Sequence, residues 1–246
     1  MYGEFARVYD TLMDDVDYDA WARHYLALIA PCKPKRICEC ACGTGSLTVR
    51  FARAGLNVVG ADLSEEMLRA AQEKARKTGV QAAFIHQDMC ALELPRRVDA
   101  VLATCDGVNY LTQDGQAQAF FKSAYHALKP GGMLAFDVST LEKLSGTLGN
   151  AFFGEDRSDI TYLWQNTWNE EKRCVRMNIA FFLREADGRY RRFDETHVQR
   201  AYVPDELKAM LEEAGFSDIR VMGGFTTHAP QGGEERIHVL ATKGKE

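Results

Sequence analysis

The chain has 246 residues, 46% hydrophobic and 26% charged, the balance of a globular protein with room for one large domain or a domain carrying an insertion. A formal net charge of −5 argues against an overall basic surface for nucleic acid or anionic membrane, and leaves local patches open. No apolar run reaches the length of a membrane-spanning helix and the opening "MYGEFARVYD" lacks the apolar core of a signal peptide, so a cytoplasmic protein with reduced thiols is expected.

In chain order, residues 1–30 read as helical, with Trp21, Tyr25, Leu28 and Ile29 at helical spacing and "PCKP" ending the run. "RICECA" (36–41) reads as a strand. "SLTVRFARAG" (46–55) reads as a helix stopped by Gly55. "LNVVGAD" (56–62) is a second strand. "SEEMLRAAQEKARKTG" (64–79) is a helix with Ser64 as N-cap, acidic residues in its first turn and Gly79 at its end. Strands follow at 81–88 and 98–104, then a helix with its stop at 116–132 and a strand at 133–138. This alternation implies a parallel sheet covered on both faces. Beyond residue 150 the rhythm turns strand-like, with "ADG" (186–188) as a hairpin turn, so 151–202 is expected to form an antiparallel β insertion or lid. A helix at 204–215 and two strands, "FSDIRVM" and "RIHVLATK", close the chain. The expected organisation is a core at 1–150, the insertion at 151–202, and completion of the core at 203–246.

"ICECACGTGS" (37–46) poses the functional question. Cys38, Cys40 and Cys42 alternate, so they can share one face of a strand. A structural zinc site wants four ligands, usually in paired spacing. The other four cysteines, Cys32, Cys90, Cys105 and Cys174, are scattered singly, so no metal site is expected. A strand, a glycine-rich turn and a helix N-terminus instead form a cradle for a ligand. Asp62 ends the next strand, 17 residues past Gly45, where a carboxylate can accept hydrogen bonds from ribose hydroxyls. The nicotinamide fingerprint would need a third glycine after Gly45, and position 48 is Thr.

The segment resembles motif I of class I S-adenosylmethionine-dependent methyltransferases, acidic-x-Gly-x-Gly-x-Gly, matched as Glu39-x-Ala41-x-Gly43-x-Gly45. Ala41 replaces the first glycine, a change that costs little wherever φ is negative. "VVGADLSEEML" (58–68) is similar to motif II, which implies Asp62 on the ribose and Leu63 beside the adenine. "HQDMCALELP" (86–95) resembles the next motif, implying Asp88 on the adenine amino group and Met89 against the ring. "VDAVLATCDGVNYL" (98–111) resembles strand 4 and the loop facing the methyl group, which adds Cys105 to the cofactor's surroundings, and "LKPGGMLAFDV" (128–138) resembles strand 5. "FARVYDTLM" (5–13) is similar to the N-terminal segment of a subgroup that includes small-molecule N-methyltransferases, implying Tyr9 close to the sulfonium. The resemblance implies a Rossmann-like, mostly parallel seven-stranded α/β sheet, with one antiparallel strand near the edge and an inserted antiparallel β lid, binding S-adenosylmethionine.

Methyl transfer from a sulfonium is an in-line displacement, so the protein mainly aligns the reactants and a base is optional. The candidates near the reacting atoms are Tyr9, then Asp106 and Asn109 after the fourth strand, and His197 in "FDETHVQRAY" if the insertion folds over the pocket; the bland alternative for His197 is a solvated strand face. Trp21, Trp164 and Trp168 read more simply as packing residues. From Lys172 to Arg200 the insertion carries eight basic residues against four acidic ones, which suits a phosphate-bearing acceptor unless they pair among themselves. The acceptor is expected to be a small molecule, with RNA as the alternative and a non-catalytic cofactor-binding module as a third reading.

Overall fold

The fold is that of a computed structural model, which describes residues 4–245. The expected helical stretch at 1–30 is two helices, α1 (Phe5–Leu12) and α2 (Tyr18–Ile29), and its first three residues lie outside the described ones. The break has a local cause: the Met13 amide closes α1 on the Tyr9 carbonyl, and Asp17 caps α2 by accepting from the Ala20 amide at 2.8 Å.

The core then alternates as β1 (Arg36–Cys40), α3 (Ser46–Arg53), β2 (Asn57–Asp62), α4 (Glu65–Thr78), β3 (Ala83–His86), β4 (Val98–Ala103), α5 (Gln116–Ala127) and β5 (Leu128–Ser139). In α4, Ser64 accepts from the Met67 amide and Gly79 ends the helix at φ 70°. The helix expected with its stop within 116–132 ends at Ala127, and Pro130 and the left-handed Gly131 (φ 76°) belong to an irregular start of β5.

β5 leads through a π-helical turn, Glu142–Leu148, into β6 (Phe152–Asp156), β7 (Ile160–Asn169), β8 (Cys174–Arg184) and β9 (Tyr190–Arg200). These four form a separate antiparallel sheet in that order. α6 (Pro204–Glu213), β10 (Phe216–Gly223) and β11 (Arg236–Lys243) complete the first sheet, whose order is β10-β11-β5-β4-β1-β2-β3. It is the expected seven-stranded, mostly parallel sheet, and β11 is its antiparallel strand, beside β5.

Side-chain alternation sorts the two faces. Cys38, Cys40, Leu134, Phe136 and Val138 point into the apolar layer under α5 and α6. Ile37, Met133 and Ala135 point into the layer under α2 and α3. Asp137 has the parity of the second layer and is fully buried there. Helix α1 sits apart from both layers. Phe5, Ala6 and Val8 pack against Met67 of α4 and against Ile160 and Phe181 of the second sheet, so α1 fills the space between them.

Candidate active site

β1, β2 and β3 lie side by side and end at one edge of the sheet. β1 leaves through Ala41, Cys42, Gly43, Thr44 and Gly45 before α3 begins. Ala41 stands at φ 51°, so the expectation of a negative φ there is wrong. Its methyl group faces a glycine: a Cβ on Gly107 would come 3.2 Å from it. Gly45 (φ 73°) lets the loop lie against α4, since a Cβ there would sit 2.9 Å from the Ala71 Cβ. Gly43 (φ 54°) has open space in front of it.

Asp62, at the end of β2, accepts from the Gly43 amide at 2.7 Å through Oδ2 and from the Ser64 amide at 2.9 Å through Oδ1. Burial pushes its pKa up while the two amides pull it down, and each oxygen keeps a lone pair for a further donor. The next residue, Leu63, is 63% exposed, an apolar side chain left uncovered beside a half-buried carboxylate. Asp88, after β3, caps a short 3-10 turn by accepting from the Cys90 amide at 2.8 Å, and Met89 behind it is buried. Glu39 is buried at the base of the site, accepting from the Thr48 hydroxyl and, at 3.1 Å, from the Thr104 hydroxyl; burial raises its pKa to about 7. The open cradle at Gly43, the half-satisfied Asp62 and the uncovered Leu63 fit a ligand with a ribose and a flat apolar ring.

The other half of the site begins after β4. Cys105 and Asp106 are consecutive left-handed residues, φ 54° and 65°. Their amides donate to the two oxygens of Asp137, at 2.8 and 3.0 Å, and the Tyr25 hydroxyl donates to the same carboxylate at 2.8 Å. Asp106, expected near the reacting atoms, has its carboxylate occupied by Arg236 (2.7 Å) and the Ser139 hydroxyl (2.6 Å); burial raises its pKa, but Arg236 overcomes this and holds it low. Asn109, expected there too, is fully buried. Its amide group donates to the carbonyls of Ser139 (3.0 Å) and Arg200 (2.9 Å) and accepts from the Ser139 amide (2.9 Å), so it braces β5 against β9.

Tyr9 of α1 does reach this wall. It is hydrogen-bonded to Tyr18 and neighbours Cys105 and Tyr110, and burial raises its pKa well above that of a free phenol. His197 is not on a solvated strand face. It is 4% exposed, with Phe5 and Tyr110 against its ring at 5.5 and 6.1 Å, and burial lowers its pKa to about 4. α1 is tied down in its last turn. Thr44 donates to Asp10 at 2.6 Å, Lys74 reaches Asp10 and Ser46, and Arg157, in the turn between β6 and β7, donates to the Thr11 carbonyl at 2.7 Å.

The basic residues of the insertion are largely paired. Arg189 meets Asp187, Arg191 meets Glu185 and Glu4, Arg192 meets Asp194, and Arg173 and Arg200 share Glu206. Cys38 and Cys40 are core residues, and Cys42 packs over Gly60, where a Cβ would come within 2.9 Å of its sulfur. Among the described residues, no three His, Cys, Asp or Glu side chains converge to hold a metal ion, and no helix is long and apolar enough to cross a membrane. Trp21 is a core residue with Arg236 over its ring at 5.0 Å, and the Trp164 ring lies tilted against Phe153 in the second sheet.

Sequence reasoning missed Tyr18, Tyr25, Asp137 and Arg236. A lone carboxylate inside the apolar run "MLAFDV" was a usable signal for Asp137. Nothing local marks Arg236 as its partner.

A seven-stranded sheet of this order, with a glycine cradle after the first strand and an acidic residue ending the second, defines a class I methyltransferase site. Comparison with known proteins agrees. Residues 37–132 match the model of a methyltransferase domain. A protein of Geobacillus sp. (strain WCH70) that bears a provisional methyltransferase name is 38% identical over 98% of this chain and 99% of its own. The demethylmenaquinone methyltransferase of Thermus thermophilus is 29% identical over 88% of this chain and 91% of its own. The crystal structure of an S-adenosylmethionine-dependent methyltransferase from Clostridium acetobutylicum superposes with a TM-score of 0.89, at 31% identity and 99% coverage of both chains. The chain belongs to the class I S-adenosylmethionine-dependent methyltransferases, and it is an enzyme of that family.

Proposed function

We propose that this methyltransferase acts on a small-molecule acceptor, and that the atom methylated is an amine nitrogen. The carrying observation is the position of α1, which packs between α4 and the second sheet and is tied to both; in this reading it closes the site over a compact acceptor rather than leaving an open track for a polymer. Arg173, Arg189, Arg191, Arg192 and Arg200 of the insertion are ion-paired, which reduces the positive charge free for a phosphate backbone, and the Thermus relative is named for a small acceptor.

S-adenosylmethionine supplies an electrophilic methyl group on a sulfonium. In this reading Asp62 holds the ribose, Leu63 and Met89 flank the adenine, Asp88 accepts from its amino group, and the Gly43–Gly45 turn lets the backbone come close. Glu39 at the base contributes negative charge as it ionises, and Cys105 borders the cofactor. On the acceptor side, Tyr9, Tyr18 and Tyr110 present phenol rings, and His197 is neutral at physiological pH. Aromatic faces favour a ligand carrying partial positive charge. A wall without an ionised base suits an acceptor that arrives with its own lone pair, having lost its proton to solvent.

The test is transfer of labelled methyl from S-adenosylmethionine into a cell extract separated into small-molecule, RNA and protein fractions. The expected label is a small compound that moves into organic solvent at high pH and back into water at low pH. Label in an RNase-sensitive fraction refutes the small-molecule reading, and a labelled compound with no basic nitrogen refutes the amine.

A further inference from the structure

We propose that Asp137 is a positioning residue of this enzyme: its carboxylate holds the Cys105–Asp106 turn against the cofactor loop and thereby sets the wall bordering the cofactor. Two successive amides in a left-handed turn form a concave site for an anion. Here the anion is the chain's own side chain, with Oδ1 on the Cys105 amide and Oδ2 on the Asp106 amide. Neither residue is glycine, so the turn is a conformation that L side chains rarely adopt and that its surroundings must impose.

Asp137 is well placed to impose it. It is the single charged residue in the run Met133–Val138 and is fully buried in the sheet layer that Ile37, Met133 and Ala135 line. Tyr25 from α2 and Arg236 from β11 both donate to it, and Arg236 also grips Asp106 and lies over the Trp21 ring. Three elements distant in sequence therefore converge on one carboxylate. The turn in its grip meets the cofactor loop at two points: Thr104 donates to Glu39, and Gly107 lies against the Ala41 methyl group. If Asp137 lets go, the turn relaxes toward ordinary dihedrals, and Cys105 moves relative to Ala41 and Glu39.

The Cys105 thiol reports on this arrangement. It faces Asp137 from β5, Asp106 from its own turn, Arg236 from β11 and Glu39 from β1, with Tyr9 from α1 and Tyr18 and Tyr25 from α2 nearby. Burial and the carboxylates together hold its pKa above that of a free thiol.

Asp137→Asn keeps the shape, removes one charge and turns one acceptor into a donor, which leaves one turn amide unmatched. Alkylation by iodoacetamide, read cysteine by cysteine by mass spectrometry across pH 7–10, measures the result. Cys105 is expected to react about tenfold faster than in wild type, with its profile moved to lower pH, while Cys38 and Cys40 keep their wild-type rates. S-adenosylmethionine is expected to protect Cys105 in wild type, with half-protection at a concentration roughly fivefold higher in the variant. Wild-type rate, profile and half-protection in Asp137→Asn overturn the proposal. If Cys38 and Cys40 also become reactive in that variant, Tyr25→Phe decides. It deletes one donor to Asp137 and no charge, and is expected to raise half-protection about twofold; an unchanged value overturns the proposal. The test needs no acceptor, so it stands apart from the acceptor's identity.

Discussion

The two halves of the site are built differently. The cofactor half comes from one stretch, residues 39–89, in which successive strands deliver Glu39, Gly43, Asp62 and Asp88 to neighbouring positions on one edge. The opposite half is gathered from the whole chain: Tyr9, Tyr18, Cys105, Asp137, His197 and Arg236 belong to six different segments. The first relies on backbone geometry, which two successive βαβ connections already determine. The second relies on packing of distant elements, so it can change with the acceptor while the cofactor half stays the same.

The sharpest way to separate the halves is Asp62→Ala. It removes the proposed ribose ligand and frees the Gly43 amide, and is expected to weaken S-adenosylmethionine binding about 100-fold, as measured by calorimetry. Normal affinity would remove the ribose from β2. The matching probe on the other side is Tyr9→Phe. It should leave cofactor affinity within about twofold yet slow methyl transfer to the extract acceptor about tenfold, since only alignment is lost. A loss of cofactor affinity equal to the loss of transfer would erase the distinction between the halves.

Glu39 belongs to both halves, hydrogen-bonded to Thr48 on one side and Thr104 on the other. Its folded-state pKa, about 7, lies above that of a free carboxyl, so the unfolded chain gives up its proton first. The folded state therefore loses stability as pH rises from about 4.5 through 7, by a penalty on the order of 3 kcal/mol that is complete above the folded pKa. Thermal melts at pH 5 and pH 8 should differ more for wild type than for Glu39→Gln. Equal differences would mean that Glu39 does not titrate there. The smallest effect is expected at the exposed edge of the second sheet, where Arg192→Ala breaks a solvated pair with Asp194 and a contact with the Phe182 ring. Its transfer rate should match wild type and its melting temperature should fall by no more than a degree or so, since the Phe182 ring contact is lost as well, and a drop in transfer would bring this edge into the acceptor site.

Much of the cofactor half was legible because its signals are short-range. Ser64 and Gly79 bracket α4 as read, and the turn at Gly43–Gly45 and the carboxylate at Asp62 lie where strand ends should place them. Ala41 was misjudged because the sign of φ depends on the loop's closure against Gly107, some 66 residues on. His197 carried the right parity on β9, but its burial depends on α1 arriving from the other end of the chain. Asn109 looked like a group for chemistry and proved to be a brace, because its partners, Ser139 and Arg200, are 30 and 91 residues away.

By itself, the sequence determined the alternation of strands and helices, the glycine cradle, the acidic strand end and the change to antiparallel strands after residue 150. Periodicity, capping and turn chemistry act within a few residues, so they can be read from neighbours. Only the tertiary structure decided that Arg236 and Asp137 share a buried charge pair, that two left-handed residues follow β4, that Arg173, Arg191 and Arg200 pair with carboxylates outside the insertion, and that Cys38, Cys40 and Cys42 pack in the core. Each of these depends on groups brought within a few ångströms by the fold, and on burial that strengthens such contacts.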